Sequence, residues 1–343
     1  MRKTGKALFA AAVLSLAILL VPACAPEATP APTPAPTAAP TEVKVYKIGI
    51  TQIVTHPALD AVREGFIQSM ADGGFVEGEN VEYDYRNPEG DMSTTQTIAQ
   101  KFVNDKVDLI LSIATPTSQA CVNAAEGTGI PVVFSAVTDP VAAGLVSNWE
   151  KPGENVTGVS DMIDVKSDVE LILEIAPGVK KLGTLYNAGE TNSVVLADEL
   201  KEICPGFGIE VLEATVSTSA DVQAAAQSLA GRVDAIWVGT DNTVVSGLEA
   251  LIKICEDNKI PFFPSDDPSI KRGGVACMGF DYYDVGIQTG EMAAKILKGT
   301  NPGDIPVELA KKLSCTVNTK AAERFEVTIP QEILDKALTV YTE

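Results

Sequence analysis

The chain has 343 residues, 26 Lys+Arg against 46 Asp+Glu for a formal net charge of −20, one histidine and six cysteines. That length fits one to three compact domains, and 45% apolar residues suffice to build them. The acidity argues against a nucleic-acid partner, and a single histidine excludes a multi-histidine zinc site and must serve any Ser-His or Cys-His mechanism alone.

Arg2, Lys3 and Lys6 precede an apolar run from Ala7 to Val21. The run is shorter than the ~20 residues that span a bilayer and reads as the core of a signal peptide over 1–23. Leu20-Val21-Pro22-Ala23-Cys24 resembles a bacterial lipobox, with Cys24 as the lipidated residue and Pro22 as an unusual occupant of its position. The alternative is a plain secretory signal cut at Ala23. Ala25 to Thr41 is almost wholly Ala, Pro and Thr. Residues 24–44 therefore read as a lipidated cysteine and a semi-extended tether, rising ~3.1 Å per residue. The expected location is extracytoplasmic, anchored to the bacterial cell membrane through lipid only. Five cysteines remain (Cys121, Cys204, Cys255, Cys277, Cys315), an odd number expected as free core thiols.

From Val45 the chain alternates β-rich runs with helical patterns. Tyr46–Ile53, Val107–Ile113 and Pro131–Ser135 read as strands. Pro57 suits a first helical position, Ser93-x-x-Gln96 reads as a capping box, and Thr115-Pro116 places a cap before an N1 proline. This is βαβα patterning, hence a parallel sheet covered by helices.

The order of events then recurs. Lys47-Ile48-Gly49-Ile50-Thr51 is echoed by Lys181-Leu182-Gly183-Thr184-Leu185, and Val107-Asp108-Leu109-Ile110 by Val233-Asp234-Ala235-Ile236. Ile130-Pro131-Val132-Val133-Phe134-Ser135 is echoed by Ile260-Pro261-Phe262-Phe263-Pro264-Ser265. Two α/β lobes of like fold follow. Ligands of open α/β sheets bind beyond the carboxyl ends of the strands, so a cleft between two lobes would be lined by the residues there. Those residues are nearly all hydroxyls, amides and carboxylates. Helix N-termini behind them favour an anionic group and free carboxylates a cationic one, which together suit a zwitterion such as an amino acid.

Gln52-Ile53-Val54-Thr55-His56-Pro57, Thr138-Asp139-Pro140-Val141, Asn192-Ser193-Val194-Val195, Thr240-Asp241-Asn242-Thr243-Val244 and Asp281-Tyr282-Tyr283-Asp284 resemble the ABC-transporter substrate-binding lipoproteins of tryptophan/tyrosine type, from roughly Val45 to the C-terminus. The resemblance implies a type I periplasmic-binding-protein fold: α/β, two Rossmann-like lobes with parallel sheets and a hinge. Lobe one would span 45–160 and 282–310, and lobe two 161–281 and 311–343. It also implies no catalysis, no cofactor and no metal. The implied partners are a small ligand, most simply an aromatic amino acid, and an ABC permease with its ATPase. A monomer with no nucleic-acid partner is expected.

By analogy with the related branched-chain amino-acid-binding proteins, Thr115 with backbone N–H groups at Thr117 and Ser118, beside Pro116, would take the ligand carboxylate. Thr138 and Asp241 would take the ammonium, with Asp266 the second acidic candidate and Thr240 left to cap the helix behind Asp241. Gln52, Ala136, Asp139, Asn187, Glu190, Asn192, Ser193, Asn242 and Tyr282 complete the candidate ligand contacts, with His56 at the cleft mouth. Helix capping competes with ligand contact at His56, Thr115, Asp266 and the 187–193 segment. Two rival readings stand beside this one. The same fold could hold a sugar or nucleoside, although two tryptophans are few for stacking sugar rings. An extracytoplasmic lipoprotein hydrolase could use strand-end carboxylates (Asp139, Asp241, Asp266, Asp267), but the chain has no Gly-x-Ser-x-Gly, Gly-x-x-x-x-Gly-Lys or Ser-x-x-Lys motif.

Overall fold

Strands and helices alternate from Tyr46 onward in a computed structural model that describes residues 44–153 and 155–342. The signal peptide, Cys24 and the tether up to residue 43 lie outside the described residues. The chain opens with β1 (Tyr46–Gln52), α1 (Pro57–Asp72), β2 (Val81–Arg86), α2 (Met92–Asn104) and β3 (Leu109–Ile113). It continues through α3 (Thr115–Ala125), β4 (Val132–Ser135) and β5 (Val156–Ser160). The second half begins with α4 (Val165–Ile175), β6 (Lys181–Asn187), α5 (Thr191–Ile203), β7 (Glu210–Val216) and α6 (Val222–Leu229). Then come β8 (Ala235–Val238), α7 (Asn242–Ser246), α8 (Leu248–Asn258), β9 (Phe262–Pro264), α9 (Asp267–Arg272) and β10 (Ala276–Gly279). The last stretch holds α10 (Tyr282–Leu297), β11 (Glu308–Leu309), β12 (Ser314–Asn318), α11 (Thr319–Arg324), α12 (Gln331–Lys336) and β13 (Thr339–Tyr341).

The first sheet is parallel throughout, in the order β11-β5-β4-β3-β1-β2. The second has the parallel order β7-β6-β8-β9. It is prolonged by β10-β12-β13, because Val275 N–H donates to the Phe262 carbonyl at 2.8 Å. The internal repeat is thus visible in topology: β2-β1-β3-β4 of one lobe matches β7-β6-β8-β9 of the other. The chain passes between the sheets three times: after Ser160, between Gly279 and Tyr282, and between Leu309 and Ser314.

The inner strands of each parallel sheet are buried on both faces, as helical covers require, while the edge strands β2 and β7 are largely exposed. Alternate residues of β3 divide between the faces: Leu109, Leu111 and Ile113 pack toward α1 and α10, and Ile110 packs with Phe102, Val132 and Phe134. The α1–α10 contact is made by backbone. A Cβ on Gly65 would lie 2.1 Å from the Tyr283 carbonyl oxygen, and one on Gly286 would lie 2.1 Å from that of Val62. Contacts that advance together along both helices make them parallel, with both N-termini at the same end of lobe one.

Local caps differ from the sequence expectation at two helices. Asp91, not Ser93, caps α2, because its carboxylate reaches Thr94 N–H at 2.6 Å while Ser93 is already helical. Thr115 is the first residue of α3 rather than its cap; Ala114 holds the cap position with φ 79°. The five cysteines among the described residues are unpaired, four of them buried. Among these residues no helix is long and apolar enough to cross a membrane, and no His/Cys/Asp/Glu group is arranged to hold a metal ion.

Candidate functional site

The strand ends and helix starts of both lobes converge on one cavity of about 440 Å³, the open solvent at its mouth included. Lobe one contributes His56, Ala58 and Leu59 from the start of α1, Ala114 and Thr115 after β3, and Ala136 and Thr138 after β4. Lobe two contributes Asn192 from α5, Thr240, Asp241, Asn242 and Val245 after β8, and Asp266 after β9. Asp161 and Tyr282 stand at the first two passages between the sheets. Ala114 and Ala136, at φ 79° and 53°, place left-handed backbone at two adjacent strand ends, strain of the kind found at ligand clamps. The lobes touch here: the hydroxyls of Thr138 and Thr240 are 3.0 Å apart, and Gln119 donates to the Thr191 hydroxyl at 3.4 Å.

The lining includes five titratable side chains, Asp161, Asp241, Asp266, Tyr282 and His56, and among the described residues no lysine or arginine. Burial pushes the Asp161 carboxyl up to about 6, opposed by the hydroxyl of Tyr282, which donates to it at 3.0 Å. Asp241 is raised by burial and by the nearby Glu190 charge. Burial lowers the His56 pKa below 6.5 despite the neighbouring Asp266, so the ring is neutral at pH 7. Its Nδ1 accepts Ala58 N–H at 3.3 Å, which puts the ring proton on Nε2. Three buried polar atoms of the lining have no protein partner among the described residues: His56 Nε2, Thr115 Oγ1 and Asn192 Oδ1. Buried polar groups are ordinarily satisfied, so their convergence marks the cavity as built to hold a polar ligand.

Nine of the residues singled out from sequence line this cavity: His56, Thr115, Ala136, Thr138, Asn192, Asp241, Asn242, Asp266 and Tyr282. Eight do not. Gln52 is fully buried behind it, donating to Asp60 and the Val54 carbonyl and accepting from Arg63. Pro116, Thr117 and Ser118 turn into α3. The Thr117 hydroxyl donates to the Ile113 carbonyl, and both the N–H and the hydroxyl of Ser118 donate to the Ala114 carbonyl. Asp139 caps the turn at Val141 and Ala142. Asn187 braces the second lobe through Thr243 and Gly189. Glu190 accepts from the backbone and side chains of Asn242 and Thr243, and Ser193 from Asn192.

The expected division of labour at 240–241 is reversed. Asp241 is itself the cap of α7, accepting Val244 N–H at 2.7 Å and Asn187 N–H at 2.6 Å, while the Thr240 hydroxyl faces Thr138. Asp266 likewise caps α9 through Ser269 N–H at 2.9 Å and still lines the cavity. Sequence reasoning missed Asp161, although it follows β5 directly and the strand-end rule covers it; it stood there only as the first residue of lobe two. The apolar liners Ala58, Leu59 and Val245 carry no polar signal to find.

The family described as ABC transporter substrate binding protein matches residues 47–341. A curated relative from Clostridioides difficile, named tyrosine-binding protein, is 43% identical over 275 residues, 80% of this chain and 79% of that one. A solved Streptococcus structure in complex with L-Trp is 36% identical, covers 87% of this chain and all of its own, and superposes with a TM-score of 0.83. A ligand-free, open substrate-binding protein with adhesive properties from Clostridium difficile is 43% identical over the same shares and superposes at 0.66. The present structure is thus nearer in shape to the complex than to the open form, against the order of sequence identity. With its two parallel-sheet lobes and the cavity between them, the chain belongs to the ABC transporter substrate-binding protein family, in the type I periplasmic-binding-protein fold.

Proposed function

We propose that the protein captures an aromatic amino acid in the interlobe cavity and presents it, by closure of the lobes, to a membrane importer. The single observation that carries this reading is the cavity's charge: buried carboxylates and unpaired polar atoms, among the described residues no lysine or arginine, and helix N-termini directed inward. The ligand carboxylate goes to Thr115 Oγ1 at the positive end of α3. The ammonium goes to the acceptors Asp161, Asp241 and Asn192 Oδ1, and a cation there offsets the cost of two ionised, desolvated carboxylates. Leu59, Ala58, Val245 and the Tyr282 ring supply the apolar wall. The names of the relatives, one for tyrosine and one in complex with L-Trp, support the aromatic class.

Ligand contacts made by both lobes stabilise the closed arrangement, and the permease reads that arrangement. The residues before Val45 serve as signal, lipid anchor at Cys24 and tether, so the domain works outside the cytoplasm. There is no chemical step on this reading, which agrees with Asp241 and Asp266 serving as helix caps. Calorimetry of the purified chain with tyrosine, tryptophan, phenylalanine, leucine, a hexose and a nucleoside tests it. Binding confined to aromatic amino acids is expected; binding of the hexose or nucleoside alone would replace the reading.

A further inference from the structure

We propose that His56 and Asp266 form a hydroxyl-reading pair, so that the cleft selects the phenol of tyrosine over the bare ring of phenylalanine and over indole. This rests on the amino-acid reading above and adds the groups that set the side-chain choice.

Two helix contacts across the cleft give the cavity two ends. At one, α3 meets α5, and there Thr115 and Asn192 converge with Thr240 and Asp241. At the other, α1 meets α9, and there His56 and Asp266, near enough for the Asp266 charge to act on the imidazole, share the lining with Ala58, Leu59 and Val245. The first end has the helix N-terminus and the acceptors that suit a zwitterion. The second combines apolar walls with two polar groups, which suits a ring carrying one polar substituent.

The polar groups there are of opposite kind. His56 is 8% exposed, its Nδ1 is occupied by Ala58 N–H, and its Nε2–H has no protein acceptor. Asp266 is 4% exposed; one oxygen takes Ser269 N–H, and among the described residues the other has no protein donor. A free donor beside a free acceptor is the complement of a hydroxyl, which both accepts and donates. Indole N–H can only donate, an O-methyl phenol can only accept, and phenyl does neither. Each of these leaves at least one buried group of the pair unsatisfied. Sites built to bond a hydroxyl reject analogues without it strongly, because the site's own groups are stranded.

The test is calorimetric titration of the intact mature chain with L-tyrosine, L-phenylalanine, O-methyl-L-tyrosine and L-tryptophan. Tyrosine is expected to bind at least ~30-fold more tightly than phenylalanine, with O-methyl-tyrosine close to phenylalanine. His56→Asn and Asp266→Asn each retain a residue able to cap its helix, so the fold persists and circular dichroism verifies it. Each should cut the tyrosine-to-phenylalanine ratio below about fivefold, through weaker tyrosine binding. Native affinities within about threefold of each other, or variants that keep the native ratio, overturn the pair while leaving amino-acid capture standing. No binding of any of the four overturns both readings together.

Discussion

Asp161→Asn replaces a buried carboxylate at the first interlobe passage by an amide of the same shape. Burial lifts the Asp161 pKa from an ordinary 3.8 to about 6, with Tyr282 and Thr138 pulling the other way. At ~1.4 kcal/mol per pH unit between these values, keeping the group ionised costs the free protein about 3 kcal/mol at neutral pH. The folded value is the higher one, so this group's contribution to stability is complete below pH 3.8 and is lost as pH rises through about 6. An amide does not titrate. The variant loses the charge-assisted bond from Tyr282, so its net gain at pH 7.5 should be ~1–3 kcal/mol, shrinking to nothing or reversing near pH 4.5. Urea unfolding of ligand-free native and variant chains at pH 4.5, 6 and 7.5 reads this directly. If the difference between the two chains stays constant across that range, burial does not govern Asp161 and the argument fails. The same substitution removes a charge from the proposed ammonium site, and affinity for the amino acid should fall roughly tenfold or more.

Three further outcomes follow from the geometry. Gly286→Ala sets a Cβ against the Val62 carbonyl oxygen, and overpacking of ~1–3 kcal/mol or more outweighs the ~1 kcal/mol gain in helix propensity; an unchanged melting temperature would mean that α1 and α10 do not touch as described. Thr138→Val removes the 3.0 Å hydroxyl pair with Thr240 across the lobes, and the loss of ~1 kcal/mol from the closed state should speed ligand release about fivefold in stopped-flow; an unaltered off-rate would show that this bond does not hold the lobes. Asp168→Ala strands Trp237 Nε1, the Ser265 hydroxyl and Met278 N–H, so denaturant titration should show a loss of ~2–4 kcal/mol, with altered Trp237 fluorescence. Full native stability would exclude a structural role for Asp168.

The repeat, the parallel α/β character of each lobe and the position of the cleft were legible because they are written in periodic apolar runs and in β-strand ends, which sequence carries locally. Which of two adjacent polar residues caps a helix was not. Thr240 and Asp241 are both good caps, and the choice is made by Asn187 N–H, which arrives from another strand to hold the Asp241 carboxylate. Ser93 and Asp91 differ by the same kind of accident, two residues along a loop whose exit angle decides which side chain meets a free N–H. Gln52 shows the limit of the strand-end rule: the residue sits at the right edge, but Asp60 and Arg63 on the following helix claim its amide. Asp161 shows the reverse, since a residue directly after β5, passed over as the start of lobe two, lines the cavity.

The glycine-lined contact between α1 and α10 has a consequence in time. The two helices are neighbours in lobe one, yet α10 follows α1 in the chain only after the whole of β6 to β10. Lobe one therefore cannot finish folding when its own first 115 or so residues are available; α1 must wait with a bare backbone groove, and β5 with an open edge that β11 alone covers. Contacts of such long sequence separation close slowly and leave adhesive surface exposed meanwhile. A chain built this way stays unfinished until almost all of it has been delivered, a property that favours threading through a narrow channel before folding and that makes its own carboxyl-terminal third the trigger for the first domain.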